Sequence, residues 1–379
     1  MPDHEPNRLE LDPPPNPVAP GPEAPPERPA QRRADDPDIA QRIDQLIFDM
    51  GAEPGSFRAR LVRELLATGL KLIPDGRDTG ELKLITTAVK ELRYAYRVFA
   101  SYAEPHKVTI FGSARTPVDH PDFAAAVTFS KLMADSGWMV ITGAGGGIME
   151  AGHKGPGRAS SFGVAIRLPF ETTANQVIAG DQKLIHFRYF FTRKLMFLSQ
   201  AEAVALFPGG FGTMDEAYEA LTLIQTGKSS MVPVVLVEGE GQTYWEQWDR
   251  WVREALLARG FISPEDVNLY FIARDPADAA AHIIRFYRNY HSSRYVADDL
   301  VIRIKSPLAQ RDVDRLSEEF ALLIRPDGPT PRIVQRGPYD AESDHLSLPR
   351  LAFTHTRSRF GMVRRLIDAI NACEPSAPV

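Results

Sequence analysis

The chain has 379 residues, 44% hydrophobic and 25% charged, with a formal net charge of −5; it is long enough for two or three domains with a sizeable core, and its charge excludes a general nucleic-acid binder, which needs a basic face to neutralise phosphates. The single cysteine, Cys373, excludes an internal disulfide and a cysteine-based metal cluster. No stretch approaches the roughly 18 apolar residues of a membrane span, and no charged start precedes an apolar core, so the expectation is a cytoplasmic protein that engages neither membrane nor nucleic acid.

Residues 1–37 hold twelve of the 31 prolines and hardly any aromatic or β-branched residue. Such a stretch buries too little apolar area to offset the entropy of ordering it, which predicts a disordered tail. Over 38–104 the rhythm is helical: Ile39, Ile43, Leu46, Ile47 and Met50 fall three and four residues apart, and the pattern continues in segments broken at "GAEPG" and "PDGRDTG".

Over 105–296 short apolar runs alternate with amphipathic stretches. "KVTIFGS", "WMVITG", "SFGVAIRL", "AEAVALFPGG", "MVPVVLVEG" and "NLYFIAR" read as strands. Near-continuous apolar strands separated by helices imply a Rossmann-like parallel sheet with helices on both faces, an α/β fold whose ligands sit beyond the carboxyl ends of the strands. Residues 297–379 read as strand, helix, two strands and helix, a small α+β unit with no chemical motif.

Three glycine turns follow strands: "FGSAR" with Gly112 and Ser113, "TGAGGGIMEAGHKG" with Gly145, Gly146 and Gly147, and "FPGGFGTMDE" with Gly209, Gly210 and Gly212. A glycine turn feeding a helix presents unpaired amides and a partial positive charge, a natural anion site, so three in one sheet point to a phosphorylated ligand. The dinucleotide fingerprint fails because Ile148 stands where its third glycine belongs, and a nucleotide-triphosphate loop ending at Gly227-Lys228-Ser229 fails because Thr222 occupies its first glycine position. In the third turn Thr213 is placed to cap a helix from Met214 and to offer its hydroxyl to a phosphate oxygen, with Asp215 and Glu216 on the first helical turn. Asp215 is explained by the helix dipole alone. Glu216 stands where a carboxylate meets the sugar of a bound nucleotide, and Arg188, Arg193 and Lys194 supply cations upstream.

These residues resemble the LOG family, the "Lonely Guy" cytokinin-activating phosphoribohydrolases and bacterial nucleotide 5′-monophosphate nucleosidases, often labelled lysine decarboxylases. "PGGFGTMDE" fits its P-G-G-x-G-T-x-x-E pattern, "TRK" fits its Arg-Lys element, and the likeness runs from about Lys107 to Tyr290. The resemblance implies Arg193 and Glu216 as the catalytic pair. It also implies a phosphate cradle of Gly209, Gly210, Gly212 and Thr213 with Gly112, Ser113, Gly145, Gly146, Gly147 and Lys194, and neither metal nor cofactor. The reaction implied is hydrolysis of the N-glycosidic bond of a nucleoside 5′-monophosphate to free base and ribose 5-phosphate. Glu216 would stabilise positive charge on the ribose, hold its hydroxyls or activate water. A homodimer or higher homo-oligomer is implied as well. Phe190-Phe191 stands where short plant-like members have Met-His, which bears on the leaving base. The related molybdenum-cofactor carriers share this sheet and its loops, so a non-catalytic carrier or sensor of a phosphorylated molecule is the alternative. The decarboxylase label is set aside, since no Schiff-base lysine with a partner for a pyridinium nitrogen stands out.

Overall fold

A computed structural model describes residues 36–53, 55–167 and 174–374; the proline-rich tail lies outside the described residues except for its last two. The chain forms two compact units that divide between Ile85 and Thr86. In the first, α1 (Pro37–Asp49) starts with proline at its first position, and α2 (Phe57–Lys71) is capped by Ser56, whose hydroxyl accepts from the Ala59 amide at 3.2 Å. The two helices pack through Ile43, Ile47 and Ala59. The division falls inside α3 (Thr79–Ala100).

The second unit contains both sheets. Seven parallel strands, β1 (Lys107–Phe111), β2 (Met139–Thr142), β3 (Ser161–Ile166), β4 (Leu184–Phe187), β5 (Ala203–Leu206), β6 (Val234–Leu236) and β7 (Tyr270–Ile272), lie in the order β4-β3-β2-β1-β5-β6-β7. All residues of β1, β2, β5 and β6 are buried, as a parallel sheet covered on both faces requires. The interleaved helices are α4 (Pro121–Asp135), α5 (Ile148–Lys154), α6 (Phe190–Ser199), α7 (Phe211–Gln225), α8 (Tyr244–Trp251) and α9 (Pro276–Phe286). Right-handed crossovers put α4 and α5 on one face and α6, α7 and α8 on the other, because the chain winds one way from β1 to β4 and the opposite way from β4 to β7.

Two strands escape the apolar-run reading. β4 is a four-residue edge strand whose His186 is exposed. The other is β8 (Tyr290–Val296), which pairs antiparallel with β9 (Asp299–Ile304). The boundary expected at 296/297 therefore falls in the hairpin joining them. With β10 (Val334–Arg336) and β11 (Arg350–Thr354) they form a four-stranded sheet, β10-β11-β9-β8, accompanied by α10 (Gln310–Glu319) and α11 (Phe360–Ala372). α11 docks onto the parallel-sheet part: Gly361 lies against the Glu265 carbonyl, Arg364 meets His282 at 2.8 Å, and Asn371 Oδ1 accepts from the amides of Asn289 and Tyr290.

The second sheet buries an ionic cluster. Arg303 Nη2 lies 2.7 Å from Glu342 Oε1 and Arg350 Nε 3.2 Å from Glu342 Oε2, with the three side chains at most 5% exposed. Burial pushes the Glu342 carboxyl up, but Arg350, the Tyr339 amide and Arg303 together hold it down at about 2, from an ordinary 4.5. A carboxyl depressed on folding stabilises the native state above its unfolded pKa, and that contribution is lost as pH falls from 4.5 toward 2. Glu342→Gln leaves the buried Arg350 guanidinium without its counter-charge and Arg303 with Asp344 alone, 2.7 Å away, and we expect the unfolding free energy at pH 7 to drop by about 3–5 kcal/mol. Urea denaturation at pH 7 and at pH 3 checks this: the deficit relative to wild type should shrink at the lower pH.

Candidate active site

The strand order reverses between β1 and β5, so the loops leaving these neighbours turn to opposite sides and open a crevice at their carboxyl ends. The loops remain tied at their base: the Phe207 amide donates to Phe111 O at 2.8 Å and the Ser113 amide to Pro208 O at 3.0 Å. Only glycine fits at 209, since a Cβ there would strike the Thr213 side chain and come within 3.0 Å of Ser113 N. Tyr244, whose hydroxyl donates to Gly209 O at 2.7 Å, fixes the same turn from outside. The result is a cleft of about 950 Å³ bordered by all three glycine turns.

Gly112, Ser113, Gly145, Arg193, Gly210, Gly212, Thr213 and Glu216 line this cleft together. Gly209, Gly146 and Gly147, the last preceding α5, are adjacent in sequence to lining residues or to the helix start but do not themselves line it. Arg115, Arg167, His186 and Phe190 also line it, though Arg167 sits in no motif that would have singled it out. Three arginines against Asp215 and Glu216 give an acidic chain a locally basic recess.

The expected cap at Thr213 is corrected by the structure. α7 begins at Phe211 with Gly210 as its N-cap and no side-chain cap, so Thr213 is its third residue. Glycine serves as an N-cap at little cost, and the low helix propensity of Gly212, which argues for a later start, is overridden by the packing of the turn against the β1 loop. Asp215 and Glu216 consequently move to the second turn, and the first turn holds no acid. The amides of Phe211, Gly212 and Thr213 lack intrahelical acceptors, and no first-turn carboxylate competes with an incoming anion for the positive end of the dipole.

Glu216 is 6% exposed although it borders the cleft, and its Oε2 makes no hydrogen bond among the described residues. Burial raises its carboxyl to about 7 from 4.5, against the opposing pull of Lys194 and Arg193. Arg193 is placed by its surroundings: Nε donates to Val164 O at 2.9 Å, the guanidinium lies 5.1 Å from the Phe197 ring centre, and Gly143 leaves it room, since a Cβ there would come 2.5 Å from Nη2.

Lys194 does not line the cleft. Its Nζ lies 2.8 Å from both Asp215 Oδ2 and Glu219 Oε2 and 4.0 Å from Glu216 Oε2. Desolvation works to lower its pKa, but the bonds to Asp215 and Glu219 prevail and raise it. Arg188 also stands outside the lining, its amide donating to Glu91 Oε1 at 2.6 Å. The apolar side chains of α6 are divided: Met196 and Phe197 are buried, whereas Phe190, Phe191 and Leu195 are exposed. Among the described residues no group of three or more His, Cys, Asp or Glu side chains could hold a metal ion, and no helix is long and apolar enough to cross a membrane.

Residues 144–283 match the family described as "possible lysine decarboxylase". That is the label LOG proteins often carry, and the resemblance read from the loops holds over this span, which includes Arg193 and Glu216. No curated protein matches the chain. Among solved structures, the molybdenum cofactor carrier protein of Chlamydomonas reinhardtii is 21% identical, covering 48% of this chain and 98% of its own, with a TM-score of 0.34. The molybdenum cofactor binding protein of Rippkaea orientalis is 23% identical over 48% and 95%, with a TM-score of 0.32. DNA processing protein A of Helicobacter pylori is 11% identical over 48% and 81%, with a TM-score of 0.30.

The environment of Glu216 makes a prediction that needs no substrate. A carboxyl whose pKa rises on folding from 4.5 to about 7 holds its proton more tightly in the native state. Its ionisation therefore destabilises the protein progressively as pH climbs through that window, and the penalty levels off above it. Glu216→Gln removes the ionisable group, and we expect it to be more stable than wild type at pH 8 by about 1–3 kcal/mol, with the advantage vanishing near pH 4.5. Thermal unfolding across that range checks it; a variant less stable than wild type at pH 8 refutes it.

Proposed function

We propose that this protein hydrolyses the N-glycosidic bond of a nucleoside 5′-monophosphate, releasing free base and ribose 5-phosphate. The observation that carries the reading is a buried carboxylate, Glu216, one oxygen of which has no hydrogen bond among the described residues, in a cleft that also contains an uncapped helix N-terminus. The 5′-phosphate docks on the amides of Phe211, Gly212 and Thr213. One turn further along α7, about 5 Å away, Glu216 meets the ribose. Water bonds to the anomeric carbon as the carbon–nitrogen bond breaks, the base leaves with the bonding pair and a proton, and the ribose passes through oxocarbenium character. Ionised Glu216 stabilises that charge. Its proton affinity near neutral pH also suits it to take a proton from the attacking water. Arg193 favours the ionised carboxylate and orients the substrate, while phosphate binding supplies energy for positioning the sugar.

A nucleotide substrate places the work in the cytoplasm. The exposed Phe190, Phe191 and Leu195 of α6 support pairing with a second copy beside the cleft, since such a cluster of large apolar side chains marks an interaction surface. Phe191→Asp should then lower the mass measured by light scattering to that of one chain.

With AMP, CMP, GMP and UMP as a panel, Glu216→Ala and Arg193→Ala should each slow base release on the order of 10²–10⁴-fold. In the wild type, kcat/KM should rise with pH through about 7 as Glu216 ionises. Variants as fast as wild type would overturn the assignment, and nucleotide binding without base release would identify a carrier instead.

A further inference from the structure

We propose that Asn175, backed by His153, is a positioning residue that aims the amides of the second glycine loop at a bound anion. Asn175 holds two consecutive carbonyls of that loop: its amide N–H donates to Ala144 O at 2.8 Å, and its side-chain Nδ2 donates to Gly145 O at 3.1 Å. In a trans peptide the carbonyl of one residue and the amide of the next point in opposite directions. With both carbonyls turned to Asn175, the N–H groups of Gly145 and Gly146 point away from it. Successive amides aimed to one side form an anion-binding concavity, and Ala144 and Gly145 border the cleft.

The loop does not rest in this shape unaided. Ala144 is left-handed at φ 66° without being glycine, a conformation that costs roughly 1–2 kcal/mol and persists where its surroundings over-determine it. Thr142 supplies one constraint, its Oγ1 accepting from the Ala144 amide at 3.0 Å, and Asn175 supplies the other through the Ala144 carbonyl.

His153 makes the clamp one unit. It is fully buried on α5, with Nε2 2.9 Å from Phe162 O and 3.0 Å from Thr142 Oγ1, and Nδ1 3.1 Å from Asn175 Nδ2 and 3.3 Å from its Oδ1. The Phe162 carbonyl can only accept, so Nε2 carries the proton and Nδ1 offers a lone pair. The two protons of Asn175 Nδ2 then go to Gly145 O and His153 Nδ1, which also fixes which way the amide faces. Burial lowers the imidazole pKa and keeps it in this neutral form. Thr142, His153 and Asn175 thus act on the loop from behind and touch no ligand themselves.

The proposal rests on the proposed function only in identifying the anion as the substrate's phosphate, so its test reads two quantities. Inorganic phosphate binding to the full-length protein is measured by calorimetry, and kcat and KM for AMP by base release. Asn175→Ala, and Asn175→Asp, which keeps the shape but loses the side-chain donor, should each weaken phosphate binding about tenfold or more. Both should raise KM by a similar factor and leave kcat within about threefold. His153→Asn, which can return an acceptor to the Nδ1 position, should retain most of the affinity, whereas His153→Leu should lose it. If Asn175→Ala lowers the melting temperature, Asn175→Ser takes its place. Phosphate affinity and KM within twofold of wild type in the Asn175 variants would overturn the proposal, as would a fall in kcat at constant KM or a wild-type protein that binds no phosphate at millimolar concentration. If phosphate binds but no monophosphate is cleaved, the hydrolase reading fails, and the phosphate affinities alone then decide the role of Asn175.

Discussion

The hydrogen bond from the Ser113 amide to Pro208 O ties two loops that the topology forces apart. β1 and β5 are neighbours in the sheet, yet the chain leaves them toward opposite edges. Had the winding continued in one direction, a crossover would cover this position; because it reverses, the strand ends stay open. Closing the crevice at its floor while leaving it open above demands a very close approach of backbones. That is why Gly209 cannot carry a side chain, and why a tyrosine from α8 braces the carbonyl of the same residue.

Within the crevice, charge is arranged by unequal sharing. Four ionisable side chains meet along α7: Asp215, Glu216 and Glu219 on the helix and Lys194 opposite. The lysine is committed to Asp215 and Glu219 at 2.8 Å and stands off from Glu216 at 4.0 Å. It therefore neutralises two acids that would otherwise repel an anion, while leaving the third desolvated and poorly compensated. A buried carboxylate without a close counter-charge is a liability for stability. Perturbed groups of this kind gather at functional sites, where such strain is retained because the chemistry uses it. Asp215, explained by the helix dipole when read from sequence, has this second role because the helix starts early enough to carry it beyond the first turn.

How much of this was legible in the sequence depended on whether the signal was local. Six of the seven parallel strands announce themselves as apolar runs, four of them with every residue buried. β4 does not, since an edge strand with an exposed His186 needs only half that pattern. The three turns were readable because each is a contiguous motif; Arg193 and Glu216, paired only through the resemblance, share the cleft lining. The start of α7 was not, since packing against the β1 loop outweighs the propensity of a Gly-Thr step. Nor was the position of Lys194, adjacent in sequence to Arg193 but directed to other partners: consecutive helical residues are about 100° apart and face different neighbours. The Thr142–His153–Asn175 clamp has no sequence signature, because its members are 11 and 22 residues apart and meet only when β2, α5 and the segment after β3 are in place.

The helix that presents Glu216 is also held at its far end. Gln225 Nε2 donates to Asp266 Oδ2 at 2.7 Å in the last turn of α7, and just beyond it the Phe360 ring of α11 packs so closely on Gly227 that no side chain fits there. Gly227 also adopts φ 67°, the left-handed geometry that ends helices where glycine is available. α11 is in turn fixed to the parallel-sheet part through Gly361 on Glu265 and through Asn371 on the start of β8. A functional carboxylate must be placed within a fraction of an ångström to meet one atom of a ligand, and a helix free to pivot about its N-terminus would not do that. The small α+β unit, which carries no chemical motif of its own, therefore bears on the cleft by fixing the axis of α7.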